Sequence, residues 1–246
     1  MAHLFCKTDA FREMILSGDM TAMIYLTGDI HRTQDIAKIL PENFNYEGKT
    51  RDDYLFIAGD FGCIWTGDER DSRLLDWFAS LPLTVLWIDG NHENFDLINA
   101  RPTEFWHGGK IHRVRGNLLH LMRGQVYEID GKKWFTFGGG TSMDRGARKM
   151  HVSWWPQEMP TEAEMEEGFR NLEAHQWRVD YIVSHCAPMS ILRTIVPIAK
   201  GDQLNRYLEE VKEKTDFGHW YFGHYHKDQD FGDEYSMLFN RIVNPK

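Results

Sequence analysis

Tyr54-Leu55-Phe56-Ile57-Ala58-Gly59-Asp60 is an unbroken apolar run that stops on a glycine and a carboxylate. A short apolar stretch bounded by turn chemistry reads as a buried β-strand, and Gly59 lets the chain turn sharply so that Asp60 leaves at the strand's end. The pattern recurs on both sides. Ala22–Thr27 runs into Gly28-Asp29-Ile30-His31, and Thr84–Ile88 runs through Asp89 into Gly90-Asn91-His92-Glu93. Further on, Val179–Ser184 precedes His185, and His219–Phe222 precedes Gly223-His224-Tyr225-His226. In α/β sheets ligands bind in the crevice beyond the carboxyl ends of the strands, so these separate segments can deliver polar side chains to one place.

The intervening stretches fit the same plan. Thr33–Leu40 and Asp68–Leu81 carry helical spacing, with Leu74, Leu75, Phe78 and Leu81 on one face and Pro41 and Pro82 beyond the ends. Between Ile111 and Gly138, turn signals at Gly116-Asn117, Arg123-Gly124 and Asp130-Gly131 predict antiparallel hairpins and a second sheet. Thr161 and Glu164 stand at capping-box spacing at the head of a helix that runs to about Gln176, a further helix covers Gln203–Lys214, and Tyr235–Val243 reads as a strand. The class is α/β: two facing mixed β-sheets flanked by helices. No linker, repeat or low-complexity tract divides the chain, so residues 1–246 are expected to form a single domain.

The 246 residues are 42% hydrophobic and 26% charged, an ordinary globular composition. A formal charge of −9 argues against extended nucleic-acid binding, which depends on Lys and Arg neutralising many phosphates. Cys6, Cys63 and Cys186 are widely spaced and make no CxxC pair, as expected of free thiols in the cytoplasm. The start lacks a basic segment followed by an apolar one, and no run is long enough to span a membrane.

Carboxylate, amide and imidazole donors suit hard-to-borderline divalent ions such as Mn, Fe, Zn, Ni or Co. The ordered blocks Gly28-Asp29-Ile30-His31, Gly59-Asp60, Gly90-Asn91-His92-Glu93, His185 and Gly223-His224-Tyr225-His226 resemble the signature of the calcineurin-like metallophosphoesterases. Each block alone is weak; the set in order is specific. The resemblance implies an αββα sandwich that holds two divalent metal ions. One would be held by Asp29, His31, Asp60 and His226, the other by Asp60, Asn91, His185 and His224, with Asp60 shared. It further implies hydrolysis of a phosphate mono- or diester by a metal-bridging hydroxide, with His92 as the catalytic residue beside the metals.

Glu93 is expected to favour the dipole of a helix that starts near Asn94, and to support the site from behind at most. His3, His107, His112, His120, His151, His175 and His219 fall outside the signature and read as surface or core histidines, and Gly18-Asp19 reads as a turn. The segment 138–159 offers Arg145 and Arg148 as candidates for substrate binding, since guanidinium forks grip phosphate. Its Ser142-x-Asp144-x-x-x-Arg148 spacing with Trp154-Trp155 resembles a bacterial and phage branch of the superfamily; the alternative is a solvated loop with aromatic packing. The blocks depart from the protein Ser/Thr phosphatase pattern: Phe61-Gly62-Cys63 follows Asp60, and Asp89 stands where that branch has arginine. A nucleotide or other small-molecule ester is therefore expected as substrate. A nuclease, a protein phosphatase and, from another class, a non-catalytic metal-binding scaffold are the alternatives.

Overall fold

The apolar runs of the first half lie side by side in the computed structural model, which describes residues 22–246, as parallel strands β1 (Ile24–Thr27), β2 (Tyr54–Ile57) and β3 (Thr84–Trp87). Every residue of β2 and β3 is buried, which is why these strands read as continuous apolar runs with no polar face. The sheet continues through β6 (Leu118–Leu121), parallel to β3, to the antiparallel strands β5 (Gly109–Arg115) and β4 (Thr103–Trp106), in the order β1-β2-β3-β6-β5-β4.

A second six-stranded sheet has the order β11-β12-β10-β9-β8-β7. Its centre is parallel: β8 (Lys132–Phe137), β9 (Arg178–Ser184), β10 (Asp216–Phe222) and β12 (Tyr235–Met237). The antiparallel strands β7 (Gln125–Ile129) and β11 (Gln229–Phe231) close its edges.

Strand alternation sorts the apolar side chains into three cores. Leu26, Phe56 and Leu86 meet Trp134, Val183 and Tyr221 between the sheets. Their neighbours Leu55, Ile57, Val85 and Trp87 point the other way, onto Leu75 and Phe78 of helix α1 (Glu69–Ser80). On the far side, Phe135, Phe137, Ile182 and Phe222 pack against α3 (Glu162–Ala174) and α5 (Gln203–Lys214) through Met165, Leu172, Leu204 and Leu208. The layers run helix, sheet, sheet, helix, as expected. Short helices α2 (Phe95–Asn99) and α4 (Met189–Ile195) complete the set. The capping box at α3 forms in both directions: Thr161 Oγ1 accepts from the Glu164 amide, and the Glu164 carboxylate accepts from the Thr161 amide.

Some local expectations are corrected. Thr33–Leu40 forms turns and a single 3₁₀ turn (Ile36–Ile39), because His31 and Arg32 adopt left-handed φ values of 44° and 63° and Lys38 is drawn inward to the carbonyls of Asp29 and Phe239. Gly116-Asn117 and Asp130-Gly131 do close hairpins, whereas Arg123-Gly124 is where the chain leaves one sheet for the other. Turn chemistry does not reveal which partner the next strand will take. The strand expected from Tyr235 to Val243 ends at Met237, since the Asp228 carboxylate accepts from the amides of Phe239, Asn240 and Arg241 and bends the chain; Val243 then makes an isolated bridge to Leu26. His3, Cys6 and Gly18-Asp19 lie outside the described residues, among which no helix is long and apolar enough to cross a membrane.

The sheet crossover is pinned by a buried ion pair. Arg123 donates twice to Asp89, from Nε at 2.9 Å and NH2 at 2.5 Å, and once to the Gln157 carbonyl at 2.8 Å. Burial alone would raise the Asp89 carboxyl; Arg123 outweighs it and holds the group at about 2. Arg123→Ala would strand that charge, and we expect a loss of about 3–5 kcal/mol of unfolding free energy in urea denaturation.

Candidate metal centre

Five strand ends converge on one point. Asp29 and His31 follow β1, Asp60 follows β2, Asn91 and His92 follow β3, His185 follows β9, and His224 and His226 follow β10. At four of these ends the residue before the first donor is glycine (Gly28, Gly59, Gly90 and Gly223), and the reason is steric. A Cβ at Gly90 would stand 2.1 Å from Asp60 Oδ1, and one at Gly223 would stand 2.3 Å from Asp29 Oδ1, so each carboxylate passes directly over a bare backbone. His31, Asp60, His224 and His226 all hold positive φ. Such backbone strain in non-glycine residues collects at functional sites.

The donor atoms form two groups that share Asp60. Ligand atoms of Asp29, His31, Asp60 and His226 lie within 4.8 Å of one another, as do those of Asp60, His185 and His224. Asp60 Oδ2 is 3.1 Å from His31 Nε2, while Oδ1 is 3.4 Å from His185 Nε2. Asp29 Oδ2 is 3.2 Å from His226 Nε2. Asn91 Oδ1 comes to 3.3 Å from His185 Nε2, and its amide nitrogen donates outward to Ser142 Oγ. All seven residues expected as ligands are therefore in one cluster.

Hydrogen bonds behind the cluster aim ring nitrogens into it. His185 Nδ1 donates to the Ala58 carbonyl at 2.8 Å and His31 Nδ1 donates to Asp35 at 2.7 Å, so that each Nε2 points inward. His185 Nε2 thus faces His224 Nδ1 at 3.2 Å beside two carboxylates. Asp29 Oδ2 is buried with no hydrogen-bond partner. Imidazole nitrogens and carboxylate oxygens crowded together at this depth favour a positive charge among them, and the donor set fits a divalent cation.

The electrostatics point the same way. Burial should disfavour a charged His185, yet Asp60 and Asp29 push it up to about 10. The same field favours a divalent cation among these donors. Burial and His185 push His224 down to about 4. Asp60 stays well below the usual carboxylate range, because His185 and His31 overcome the cost of its burial.

Glu93 does not serve the helix, and stands behind the site instead, the second of the two roles expected of it. It is completely buried, and its carboxylate accepts from the amides of Phe61 at 2.8 Å and Gly62 at 3.2 Å, holding the turn that follows Asp60. The α2 N-terminus is capped by Asn94 instead. Burial pushes the Glu93 carboxyl well above its ordinary range.

His92 sits at the edge of the cluster, its ring edge-on to His31 and its Nε2 at 3.4 Å from Arg148 NH2; burial lowers its pKa. A cavity of about 660 Å³ opens from the cluster, lined by Asp60, Asn91, His92, His224, His226 and Arg148 among others. Arg148 pairs with Asp144 at 2.8 Å. Arg145 is exposed and does not line this cavity. Sequence reasoning missed Asp35 and Glu158. Asp35 carries a signal, since it lies four residues after His31. Glu158 carries none, since its contact with the Ser142 amide depends on how the loop folds back. His112, His120 and His219 are buried away from the cluster, in line with the bland reading.

The family model described as calcineurin-like phosphoesterase matches residues 22–228. A comparison with curated proteins finds no match. Among solved structures, the chain is similar to the phosphopantetheinyl hydrolase from Mycobacterium tuberculosis, at 16% identity and a TM-score of 0.41, covering 89% of this chain and 90% of that one.

Because the Gly90 position touches Asp60 Oδ1, Gly90→Ala must displace that carboxylate. We expect metal affinity to fall about 10–100-fold, the range for disturbed ligand orientation, as read by calorimetric titration of the stripped protein. Unchanged affinity would mean that the Asp60 geometry is unimportant.

Proposed function

The chain belongs to the calcineurin-like phosphoesterase family and is a metal-dependent phosphoesterase; from that premise we propose that it uses two divalent ions to hydrolyse a phosphate mono- or diester of a nucleotide or another small molecule. In this reading Asp29, His31, Asp60 and His226 hold one ion, and Asp60, Asn91, His185 and His224 hold the other. The observation that carries it is the division of Asp60, whose Oδ2 faces His31 at 3.1 Å while its Oδ1 faces His185 at 3.4 Å. A carboxylate with one oxygen turned to each donor group is suited to bridge. Mn, Fe, Zn, Ni and Co all suit the donors. When bound, the ions supply Lewis acidity at the phosphoryl oxygens and an acidified water.

The chain's own groups do the remainder. Arg148 grips a phosphoryl oxygen through its fork, held in place by Asp144. His92, on the same side of the cavity, stands where it would relay to the departing oxygen the proton released by the attacking water. Asp35 and the Ala58 carbonyl keep His31 and His185 in the tautomer that faces inward. Asp89 is turned inward onto Arg123 and does not line the cavity, so no phosphate grip comes from that position, and this disfavours phosphoprotein substrates.

The experiment strips the protein with a chelator, restores each metal in turn, and follows p-nitrophenyl phosphate and its bis ester. We expect two metal ions per chain, with Asp60→Asn losing both metal loading and turnover. His92→Ala should keep its metals and lose about 10²–10⁴-fold in turnover. Inertness toward both esters with all five metals would sink the hydrolytic reading in favour of a scaffold.

A further inference from the structure

The cavity beside the proposed metal ligands has polar and apolar lining residues. Most of its exposed wall is carbon, to which Leu192 of α4, Val196 and Ala199 in the turn that follows, and Met143 from the 138–159 segment contribute. Met143 is 94% exposed and Val196 41%, so this apolar surface meets solvent and is not spent on packing within the fold. Apolar surface collected on the wall of a ligand cleft marks where a ligand's carbon is covered.

Charge restricts the ligand further. Among the described residues, the wall beyond the metal ligands and His92 carries Arg148 and Lys200 against Asp144 and Asp202. Arg148 is held by Asp144 and in the phosphoesterase reading already serves the phosphoryl group at the metal end, and Asp202 is held by Thr141 Oγ1 at 2.6 Å while it caps α5. A second phosphoryl group would bring its charge beside two carboxylates with Lys200 alone to meet it. One phosphoryl group at the metal end, with uncharged carbon beyond, satisfies both the wall and its charges.

Resting on the phosphoesterase reading of the site, we propose that the substrate carries a single phosphoryl group esterified to a largely apolar moiety, alkyl or aryl, which seats against Leu192, Val196 and Ala199, and that nucleoside polyphosphates are excluded. A cavity of about 660 Å³ has room for such a moiety.

The test is calorimetric binding of n-alkylphosphonates, methyl to hexyl, and of phenyl- and benzylphosphonate, to the metal-loaded protein. Kd should fall about three- to fourfold per added methylene until the wall is covered, the aryl compounds should bind more tightly than methylphosphonate, and ADP should bind no more tightly than methylphosphonate. Val196→Asp, at a partly exposed position, should flatten the slope across the alkyl series. A flat slope in the unaltered protein, an undiminished slope in Val196→Asp, or tighter binding of ADP than of hexylphosphonate would each overturn the proposal. Since the readout is binding, failure to hydrolyse any ester would count against the preceding reading alone.

Discussion

Two carboxylates buried at neighbouring strand ends are the constraint that the rest of the site answers. Asp29 is fully buried and Asp60 is 1% exposed, and burying even one ion costs several kcal/mol unless it is compensated. The compensation is visible atom by atom. Asp60 Oδ1 accepts from the His92 amide at 2.7 Å, and Asp29 Oδ1 accepts from the His224 amide at 3.1 Å. Imidazole nitrogens stand beside the other oxygens. Left-handed backbone at Asp60 and His224 and bare glycine at 90 and 223 are what these approaches require. Even so, Asp29 Oδ2 finds no hydrogen bond. His226 Nε2 stands beside it, at 3.2 Å, and a bound cation would complete its balance.

The donors divide between the sheets. Asp29, His31, Asp60 and Asn91 come from the ends of β1, β2 and β3, whereas His185, His224 and His226 come from β9 and β10. Carboxylates and the amide are thus supplied by one layer and most of the imidazoles by the other. The distance between them is set by Phe56, Leu86, Trp134, Val183 and Tyr221, which fill the space between the layers. Packing and chemistry are therefore linked, because a change in that core shifts one half of the donor set against the other. It also explains why the apolar runs and the polar residues that end them had to be read together.

What was legible in the sequence was whatever is encoded locally. Unbroken apolar runs marked the buried parallel strands, and the polar residues immediately after them marked the cluster. The α3 cap was visible as Thr161 and Glu164, and α5 was read with its observed bounds, Gln203–Lys214. What was not legible depends on contacts distant in sequence. Glu93 looked like a helix-end carboxylate, yet it serves amides at Phe61 and Gly62 that lie beyond it across the fold. Arg123-Gly124 had the chemistry of a hairpin turn, but only the pairing of β6 with β3 and of β7 with β8 makes it a crossing. Lys38 was hidden in a stretch with helical spacing and is instead drawn into the interior by two carbonyls.

The segment from Gly138 to Met159 has a different logic from the strand ends. Gly139 donates to the Asp89 carbonyl and Gly140 to the Glu158 carbonyl, Arg123 reaches Gln157, and Trp155 Nε1 binds Asp96 at 2.8 Å. Both feet of the arch are therefore tied near the end of β3. Between them, Met143, Asp144 and Arg148 face the cavity without belonging to the metal cluster. Ligands on strand ends are held by the sheets and leave little freedom to vary. The arch is tied by side chains as well, His151 to Asp96 and Thr141 to Asp202, but no strand holds it, and such a segment can vary the cavity wall more freely than strand ends can. Ser142 is where the two systems touch, since it orients the Asn91 amide from the arch while the Glu158 carboxylate accepts from its own amide. Through that contact a change in the arch reaches the donor set itself, so in the proposed reading recognition and metal binding would be coupled at one hydroxyl.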